Sequence, residues 1–315
     1  MHLHLRGIIP PIITPLKNEN ELDGQGLEQL IEYLISGGVH GLFLLGTTGE
    51  ATSLSYQLRK EFIEMACAII NKRIPVMVGI TDTCVTGSIE MAAVSKNAGA
   101  DALVVSTPYY LPMSQQEFGD YLEYLAPKLP LPYLLYNMPS CTKMHISVET
   151  VKRARKLGAV GIKDSSGDLG YLYGLIEEFK TEPDFSVICG TELFIPETVI
   201  FGGRGAIAGG ANIFPRVFVE LYEAALANDL RKIERLRDIV IQIEKKIYNI
   251  GADNSKYIKS IKSALSVLGI CNDFVAQPFQ RFGKSEHEQM EHNIKELNTT
   301  FAEIQAEMRT LKLKN

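Results

Sequence analysis

The chain has 315 residues, of which 46% are hydrophobic and 22% are charged. This length and composition are typical of one large globular domain, and two small domains are the less favoured alternative. The formal net charge of -5 and the even spread of lysine and arginine predict no nucleic-acid partner.

The start of the chain, the cysteines and the histidines indicate which compartment and which kinds of site to expect. The five cysteines are widely spaced and form no CxxC pair, so we expect reduced thiols in a cytoplasmic protein. The start of the chain lacks a charged segment followed by a long apolar one, and we expect neither a targeting segment nor a membrane partner. His2 and His4 form the one close histidine pair, at a terminus that should be frayed, so a metal site is not expected.

Eight short apolar or β-branched runs recur along the chain, each about as long as a strand. They span residues 7–14, 41–45, 76–80, 102–106, 133–136, 160–163, 186–189 and 206–208. The stretches between them have helical periodicity, so the chain reads as repeated βα units. The runs are almost continuously apolar, as expected of strands that are buried on both faces.

Eight such units predict an α/β protein with a TIM (β/α)8 barrel fold and a C-terminal helical extension. A doubly wound open sheet shares the alternation, but Ile8-Ile9-Pro10-Pro11 stands where its GxGxxG fingerprint would follow the first strand. We place the barrel catalytic domain at residues 1–225 and the helical region at 226–315. The tail over residues 285–313 is predicted to be an amphipathic helix that lies on the body or on a partner.

Polar residues follow several strand-like runs at the point where each run ends. In chain order these are Gly46-Thr47-Thr48-Gly49-Glu50, Thr107-Pro108-Tyr109-Tyr110, Tyr136-Asn137-Met138-Pro139 and Lys163. A TIM barrel gathers its strand C-terminal ends on one face, where its active site lies. We therefore expect these hydroxyl groups and this amine to meet.

Lys163 is the candidate nucleophile. A lysine amine attacks a carbonyl only when it is neutral, and a strand end of low dielectric constant can lower its pKa toward the working pH. The alternative is an ion pair with Asp164 or a helix cap. Tyr136 and Thr47 favour the nucleophile, because a tyrosine can relay protons and a threonine can orient its oxygen.

Two glycine-rich turns are candidate anion sites. The amides and hydroxyls of residues 46–50 suit a carboxylate or phosphate, although a plain glycine turn would have the same sequence. The glycines at residues 202–205 and 209–210 lie in loops where barrels often bind phosphate, but tight turns are the favoured interpretation. A barrel enzyme with a phosphorylated ligand at these loops remains a third reading of the function.

The ordered motifs GTTGE, TPYY, YNMPS, GIKDSSGD, CGTE and GAIAGGAN resemble the dihydrodipicolinate synthase and N-acetylneuraminate lyase superfamily of pyruvate-dependent class I aldolases. The resemblance covers roughly residues 5–283. It implies that Lys163 forms a Schiff base with pyruvate and that Tyr136, supported by Thr47, relays protons. It further implies that Thr48 holds the pyruvate carboxylate and that Gly190 and Ile207 line the pyruvate pocket.

The same resemblance implies an oligomer and a reaction without a metal or organic cofactor. Tyr110 matches a tyrosine that members insert into the neighbouring active site, commonly in a homotetramer made of two dimers. The imine with pyruvate is an electron sink, so loss of a C3 proton gives an enamine that adds to an aldehyde. The reverse reaction cleaves a 4-hydroxy-2-oxo acid.

Departures from the family pattern bear on the second substrate. The synthase branch has an arginine where this chain has Cys141, and a thiol makes no bidentate contact with a carboxylate. Of the consecutive acidic residues of the sialic acid lyase branch only Glu192 remains, and Gly209 replaces a serine. We expect a lyase for another 2-oxo acid, such as a 2-oxo-3-deoxy sugar acid or 4-hydroxy-2-oxoglutarate. The alternatives are dihydrodipicolinate synthase, N-acetylneuraminate lyase and a non-catalytic 2-oxo acid binding protein.

Overall fold

The computed structural model describes the backbone of residues 5–312 and the side chains of residues 5–306. His2 and His4 therefore lie outside the described residues. Within residues 5–312 there are ten strands: β1 (Gly7–Ile8), β2 (Leu16–Asn18), β3 (Glu21–Leu22), β4 (Leu42–Leu44), β5 (Val76–Gly79), β6 (Ala102–Ser106), β7 (Tyr133–Asn137), β8 (Ala159–Asp164), β9 (Ser186–Cys189) and β10 (Gly205–Ala206).

Eight of these strands form one parallel sheet in the order β1-β10-β9-β8-β7-β6-β5-β4. The segment after β1 closes the ring, because the Phe43 N–H donates to the Pro10 carbonyl at 3.0 Å and the Ile12 N–H donates to the Phe43 carbonyl at 3.0 Å. The predicted barrel is thus confirmed, and each of the eight predicted runs overlaps one of its strands. The antiparallel hairpin of β2 and β3 lies outside the barrel and is too short to have shown a strand pattern.

Helices follow most of the strands and continue after the last one. They are α1 (Gly24–Ser36), α2 (Tyr56–Ile70), α3 (Val85–Ala98), α4 (Gln115–Leu125), α5 (Pro139–Thr142), α6 (Val148–Lys156), α7 (Leu169–Glu178), α8 (Ile195–Ile200), α9 (Pro215–Leu226), α10 (Leu230–Ile243), α11 (Lys256–Val267) and α12 (Lys284–Lys312). A π-helical turn, Glu244–Tyr248, continues α10. Among the helices within residues 5–312, none is both long and apolar enough to cross a membrane.

The barrel strands are buried on both faces, as the apolar runs predicted. In β4, Leu42 and Leu44 pack outward against the helices, whereas Phe43 joins the core inside the barrel. Alternate side chains of a strand point to opposite faces, which explains this division. Phe43 and Tyr136 belong to the interior core, so packed side chains fill the inside of the barrel at these positions.

The predicted tail helix is α12, and it packs on the body of the same chain. Met290, Ile294 and Leu297 are buried, and the Asn293 side chain donates to the Lys246 carbonyl at 2.6 Å. One apolar stripe of a largely polar helix is thereby covered, as amphipathic periodicity requires. The division of the chain into a barrel domain and a helical domain at residue 225 stays a prediction.

Candidate active site

Lys163 lies near the C-terminal end of β8, directly beside Tyr136 of β7 in the sheet register. Its side chain is buried, with the residue 4% exposed. The Lys163 Nζ lies 4.0 Å from the centroid of the Tyr136 ring and 5.3 Å from that of the Phe43 ring. The amine therefore lies inside the mouth of the barrel, between two aromatic side chains.

Asp164 does not neutralise this amine. Its carboxylate accepts hydrogen bonds from the Asn137 side chain at 2.8 Å and the Ser166 hydroxyl at 3.0 Å. Burial raises the pKa of Asp164, and these hydrogen bonds offset part of the rise. Across the described part of the chain, no carboxylate comes within ion-pair distance of Lys163, so the predicted alternative of an ion pair with Asp164 is wrong.

The hydroxyl groups of Tyr136 and Thr47 lie close together in the cavity that also contains Lys163. The Thr47 Oγ1 lies 3.4 Å from the Tyr136 oxygen. The Phe43 ring packs edge to face with the Tyr136 ring, with a centroid distance of 6.3 Å. The tyrosine is thus fixed by a ring contact and a long hydroxyl contact, a geometry in which it can exchange protons with a group bound at Lys163.

The loop that carries Thr47 and Thr48 is a compact turn. Its Gly49 and Glu50 N–H groups donate to the carbonyls of Gly46 and Thr47, both at 3.1 Å. Within the described residues, no acceptor takes up the N–H groups of Thr47 and Thr48, which leaves two adjacent amides for a ligand carboxylate. Glu50 has a φ of 56°, a strained backbone conformation for a residue other than glycine.

A buried ion pair anchors this loop, and sequence reasoning missed it. The Glu50 carboxylate pairs with the Lys262 Nζ, and neither side chain is exposed. Glu50 also accepts from the Ala276 N–H at 2.7 Å, and Lys262 donates to the Phe274 carbonyl at 2.7 Å. Burial lowers the pKa of Lys262, and the charge of Glu50 opposes that effect. Helix α11 thereby holds the loop from the far end of the sequence.

A cavity of about 360 Å³ opens beside Lys163. It is lined by residues that include Thr47, Thr48, Tyr136, Lys163, Gly190, Glu192 and Ile207. The sequence singled out all seven, and the structure brings them together. A Cβ at position 190 would lie 3.1 Å from the Lys163 Cε and 1.9 Å from the Ser165 Oγ, so the glycine makes room for the lysine side chain.

One wall of this cavity contains an acid and two phenols. Both Glu192 carboxylate oxygens lie 3.0 Å from the Tyr248 hydroxyl, and the Gly210 N–H donates to one of them at 2.7 Å. Burial raises the pKa of Glu192 to about 7, although these hydrogen bonds oppose the rise. Tyr257 packs against Tyr248 with ring centroids 4.7 Å apart. The two tyrosines come from the helical region, where no motif in the sequence marked them.

Cys141 and Tyr110 are not among the residues that line the cavity beside Lys163. Cys141 lines a second cavity of about 410 Å³, which shares Thr47, Tyr136 and Met138 with the first. Tyr110 is 77% exposed and lies on the loop after β6. Within one subunit, this tyrosine does not line the cavity that contains the amine.

The glycine turns directly before β10, at residues 202–204, and after it, at residues 209–210, use their own amides. The Gly203 N–H donates to the Thr198 carbonyl at 2.7 Å, and the Gly210 N–H donates to Glu192. Both groups are thus engaged within the protein. These hydrogen bonds favour tight turns over a phosphate site at both positions.

Comparison with known proteins gives a consistent result. The model of the dihydrodipicolinate synthetase family matches residues 4–297. The probable 2-dehydro-3-deoxy-D-pentonate aldolase YjhH of Escherichia coli is 32% identical over 84% of this chain and 87% of its own. A dihydrodipicolinate synthase structure from Bacteroides thetaiotaomicron has a TM-score of 0.91 and 44% identity, over 94% of this chain and all (100%) of that one. The structure of YagE from Escherichia coli in complex with pyruvate has a TM-score of 0.87 and 31% identity, over 93% and 98%.

Proposed function

This chain belongs to the dihydrodipicolinate synthetase family, and from that premise we propose that it binds pyruvate as a Schiff base on Lys163. The chain is a lyase of the aldolase type. One observation supports the role of Lys163 most strongly. Its amine is buried, lies 4.0 Å from the Tyr136 ring centroid and faces a cavity with two threonine hydroxyls. Such an amine can reach a carbonyl without first leaving an ion pair.

The proposed chemistry follows from the imine. Lys163 attacks the C2 carbonyl of pyruvate, and water leaves as the Schiff base forms. Loss of a C3 proton gives an enamine, whose C3 adds to the aldehyde carbon of the second substrate. In the reverse direction the C3–C4 bond of a 4-hydroxy-2-oxo acid breaks, and the aldehyde is released.

Each neighbouring residue has a proposed part in these steps. Tyr136 moves protons to and from the reacting oxygens, and Thr47 orients its hydroxyl at 3.4 Å. Thr48, with the open amides of Thr47 and Thr48, holds the pyruvate carboxylate. Gly190 and Ile207 bound the space for the three-carbon unit.

For the second substrate we propose a 2-oxo-3-deoxy sugar acid. The YjhH protein is named as a probable aldolase for such a compound, and YagE, a putative 2-dehydro-3-deoxy-D-gluconate aldolase, has been solved with pyruvate. Among the described residues that line the two cavities, Lys163 is the only cation. A substrate whose carbon chain carries only hydroxyl groups needs no second cation in the site. The aldehyde of the synthase reaction carries a carboxylate, which a second cation would have to bind.

The synthase reaction is the principal rival, because the Bacteroides synthase is 44% identical to this chain. Cys141 argues against it, since a thiol supplies no positive charge where the synthase branch has arginine. The test is to compare release of pyruvate from 2-dehydro-3-deoxy-D-gluconate with condensation of pyruvate and aspartate semialdehyde. We expect the cleavage to have the higher kcat/KM. A higher kcat/KM for aspartate semialdehyde would favour synthase activity over the proposed cleavage.

The assembly and compartment also belong to this proposal. We propose a cytoplasmic homotetramer built from two dimers, in which Tyr110 of each subunit completes the site of its neighbour. The 77% exposure of Tyr110 and the 72% exposure of Leu111 support this arrangement. Large apolar side chains that stand out of a monomer commonly mark an interface.

A further inference from the structure

The wall that contains Glu192, Tyr248 and Tyr257 is built largely from the C-terminal helical region. Tyr248 ends the π-helical turn after α10, and Tyr257 lies in the first turns of α11. A π-helical turn inserts a residue into a helix and frequently occurs at a functional site. Glu244, in the same turn, also lines the cavity. The helical region thus contributes polar groups to the cavity in addition to anchoring its loop.

The glycines after β10 make room for the two phenols. A Cβ at position 209 would lie 1.8 Å from the Tyr257 oxygen, and one at position 210 would lie 2.5 Å from the Tyr248 oxygen. Neither approach is possible for a residue with a side chain. The phenol hydroxyls therefore occupy the space that side chains at positions 209 and 210 would fill, and they supply the polar atoms there.

The wall can both donate and accept hydrogen bonds. Burial raises the pKa of both Tyr248 and Tyr257, so both phenols keep their protons. The Tyr248 proton is donated to Glu192, so Tyr257 is the donor for a ligand and the Tyr248 oxygen is an acceptor. Glu192 receives hydrogen bonds from the Gly210 N–H and Tyr248, and a carboxylate has about four acceptor positions. At least one acceptor position is therefore left for a ligand hydroxyl.

The charges of the wall define what it excludes. Glu192 and Glu244 are acidic, and the described lining contains no cation other than Lys163, which is committed to pyruvate in the proposed function. A second carboxylate or a phosphate in this space would meet like charge without a partner, which disfavours its binding. An uncharged hydroxyl group meets both donors and acceptors.

We propose that Tyr248, Tyr257 and Glu192 bind the hydroxyl groups of an uncharged carbon chain beyond C4 of the substrate, and that this wall rejects a chain that ends in a second acid. The inference rests on the proposed function, because it assumes pyruvate at Lys163. It adds two specificity-determining tyrosines from the helical region. It also states the chemical class of the second substrate.

The first test compares two aldehydes that differ in hydroxyl groups, D-glyceraldehyde and propanal, as partners of pyruvate. One hydrogen bond between neutral groups contributes about 0.5 to 1.5 kcal/mol, so two of them predict a preference of about tenfold or more for glyceraldehyde. Tyr248→Phe and Tyr257→Phe should each reduce the kcat/KM ratio by about threefold to tenfold. Both aldehydes are measured on one preparation, so loss of folded enzyme cancels from the ratio.

Tyr133→Phe is the matched control. Its hydroxyl donates to the Ala154 carbonyl at 3.3 Å, away from the cavity, and its removal should leave the ratio at the wild-type value. An unchanged ratio in both cavity variants would overturn the proposal. So would an equal change in the control, because the hydroxyls would then act on the fold and not on the aldehyde.

The second test uses succinic semialdehyde, whose far end is a carboxylate. Wild type should use it at least about tenfold less efficiently than glyceraldehyde, because the acid wall repels the charge. Glu192→Gln keeps the shape and should narrow that gap. Equal use of both aldehydes by wild type would overturn the proposal. Absence of any borohydride-trapped pyruvate adduct is a different result: it would overturn the proposed function, and this inference with it.

Discussion

Glu50 and Lys262 form an ion pair with both side chains fully buried, and it joins the turn that carries Thr47 and Thr48 to helix α11. Breaking a buried pair leaves an uncompensated charge, at a cost of about 3 to 5 kcal/mol. We therefore expect Lys262→Met to lower the free energy of unfolding by this amount, as measured in urea. The double variant Glu50→Gln with Lys262→Met should lose less than the single variant.

The exposed pair of Lys17 and Glu21 provides the control for that experiment. Solvent screens such a pair, so Lys17→Met should change the unfolding free energy little. If Lys262→Met were as mild as Lys17→Met, Glu50 and Lys262 would not anchor the turn.

Tyr136→Phe tests the proton relay. Removal of a general acid-base group typically lowers turnover by about 10² to 10⁴, and we expect a loss in that range with the fold intact. Tyr133→Phe removes a hydroxyl from the same strand, where it bonds to the Ala154 carbonyl, and should stay close to wild type. Normal turnover in Tyr136→Phe would exclude this tyrosine as the relay.

Glu192 should make stability depend on pH. Burial raises its pKa from an ordinary value of 4.5 to about 7 in the folded protein. The folded chain then binds a proton that the unfolded chain has released, so stability falls as the pH rises through that window. Relative to wild type, Glu192→Gln should gain stability between about pH 4 and pH 8, by on the order of 3 kcal/mol. A difference that stays constant across these pH values would contradict the assigned burial of the charge.

Tyr110 should act in the site of a neighbouring subunit. Tyr110→Phe and Lys163→Ala are each expected to be inactive alone. Mixed dimers should regain part of the wild-type activity, because one of the two sites then contains both an intact tyrosine and an intact lysine. Verified mixed dimers without activity would count against a shared site.

The sequence predicted the barrel and most of the site for a physical reason. Buried parallel strands are continuous apolar runs, and a barrel brings the residues that end them to one face. Lys163, Tyr136 and Thr47 follow that rule, so their meeting could be foreseen. The chain also carries enough ordered motifs to indicate its family.

The parts that could not be predicted depend on contacts between distant segments. Lys262 reaches Glu50 from α11, and Tyr248 reaches Glu192 from a π-helical turn. In the sequence both residues lie in ordinary helical patterns, whose periodicity shows which face is apolar and not which polar residue enters a cavity. The alternative of an ion pair between Lys163 and Asp164 was wrong for a related reason, since Asn137 and Ser166 bind that carboxylate.

The central claim is that Lys163 forms the imine with pyruvate. The most direct measurement is reduction of the enzyme with borohydride in the presence of pyruvate, followed by mass spectrometry of its peptides. We predict one reduced pyruvate adduct on Lys163, with none in the Lys163→Ala variant and an unchanged adduct in Lys17→Met. An adduct on another lysine, or active enzyme from which no adduct can be trapped, would contradict the account.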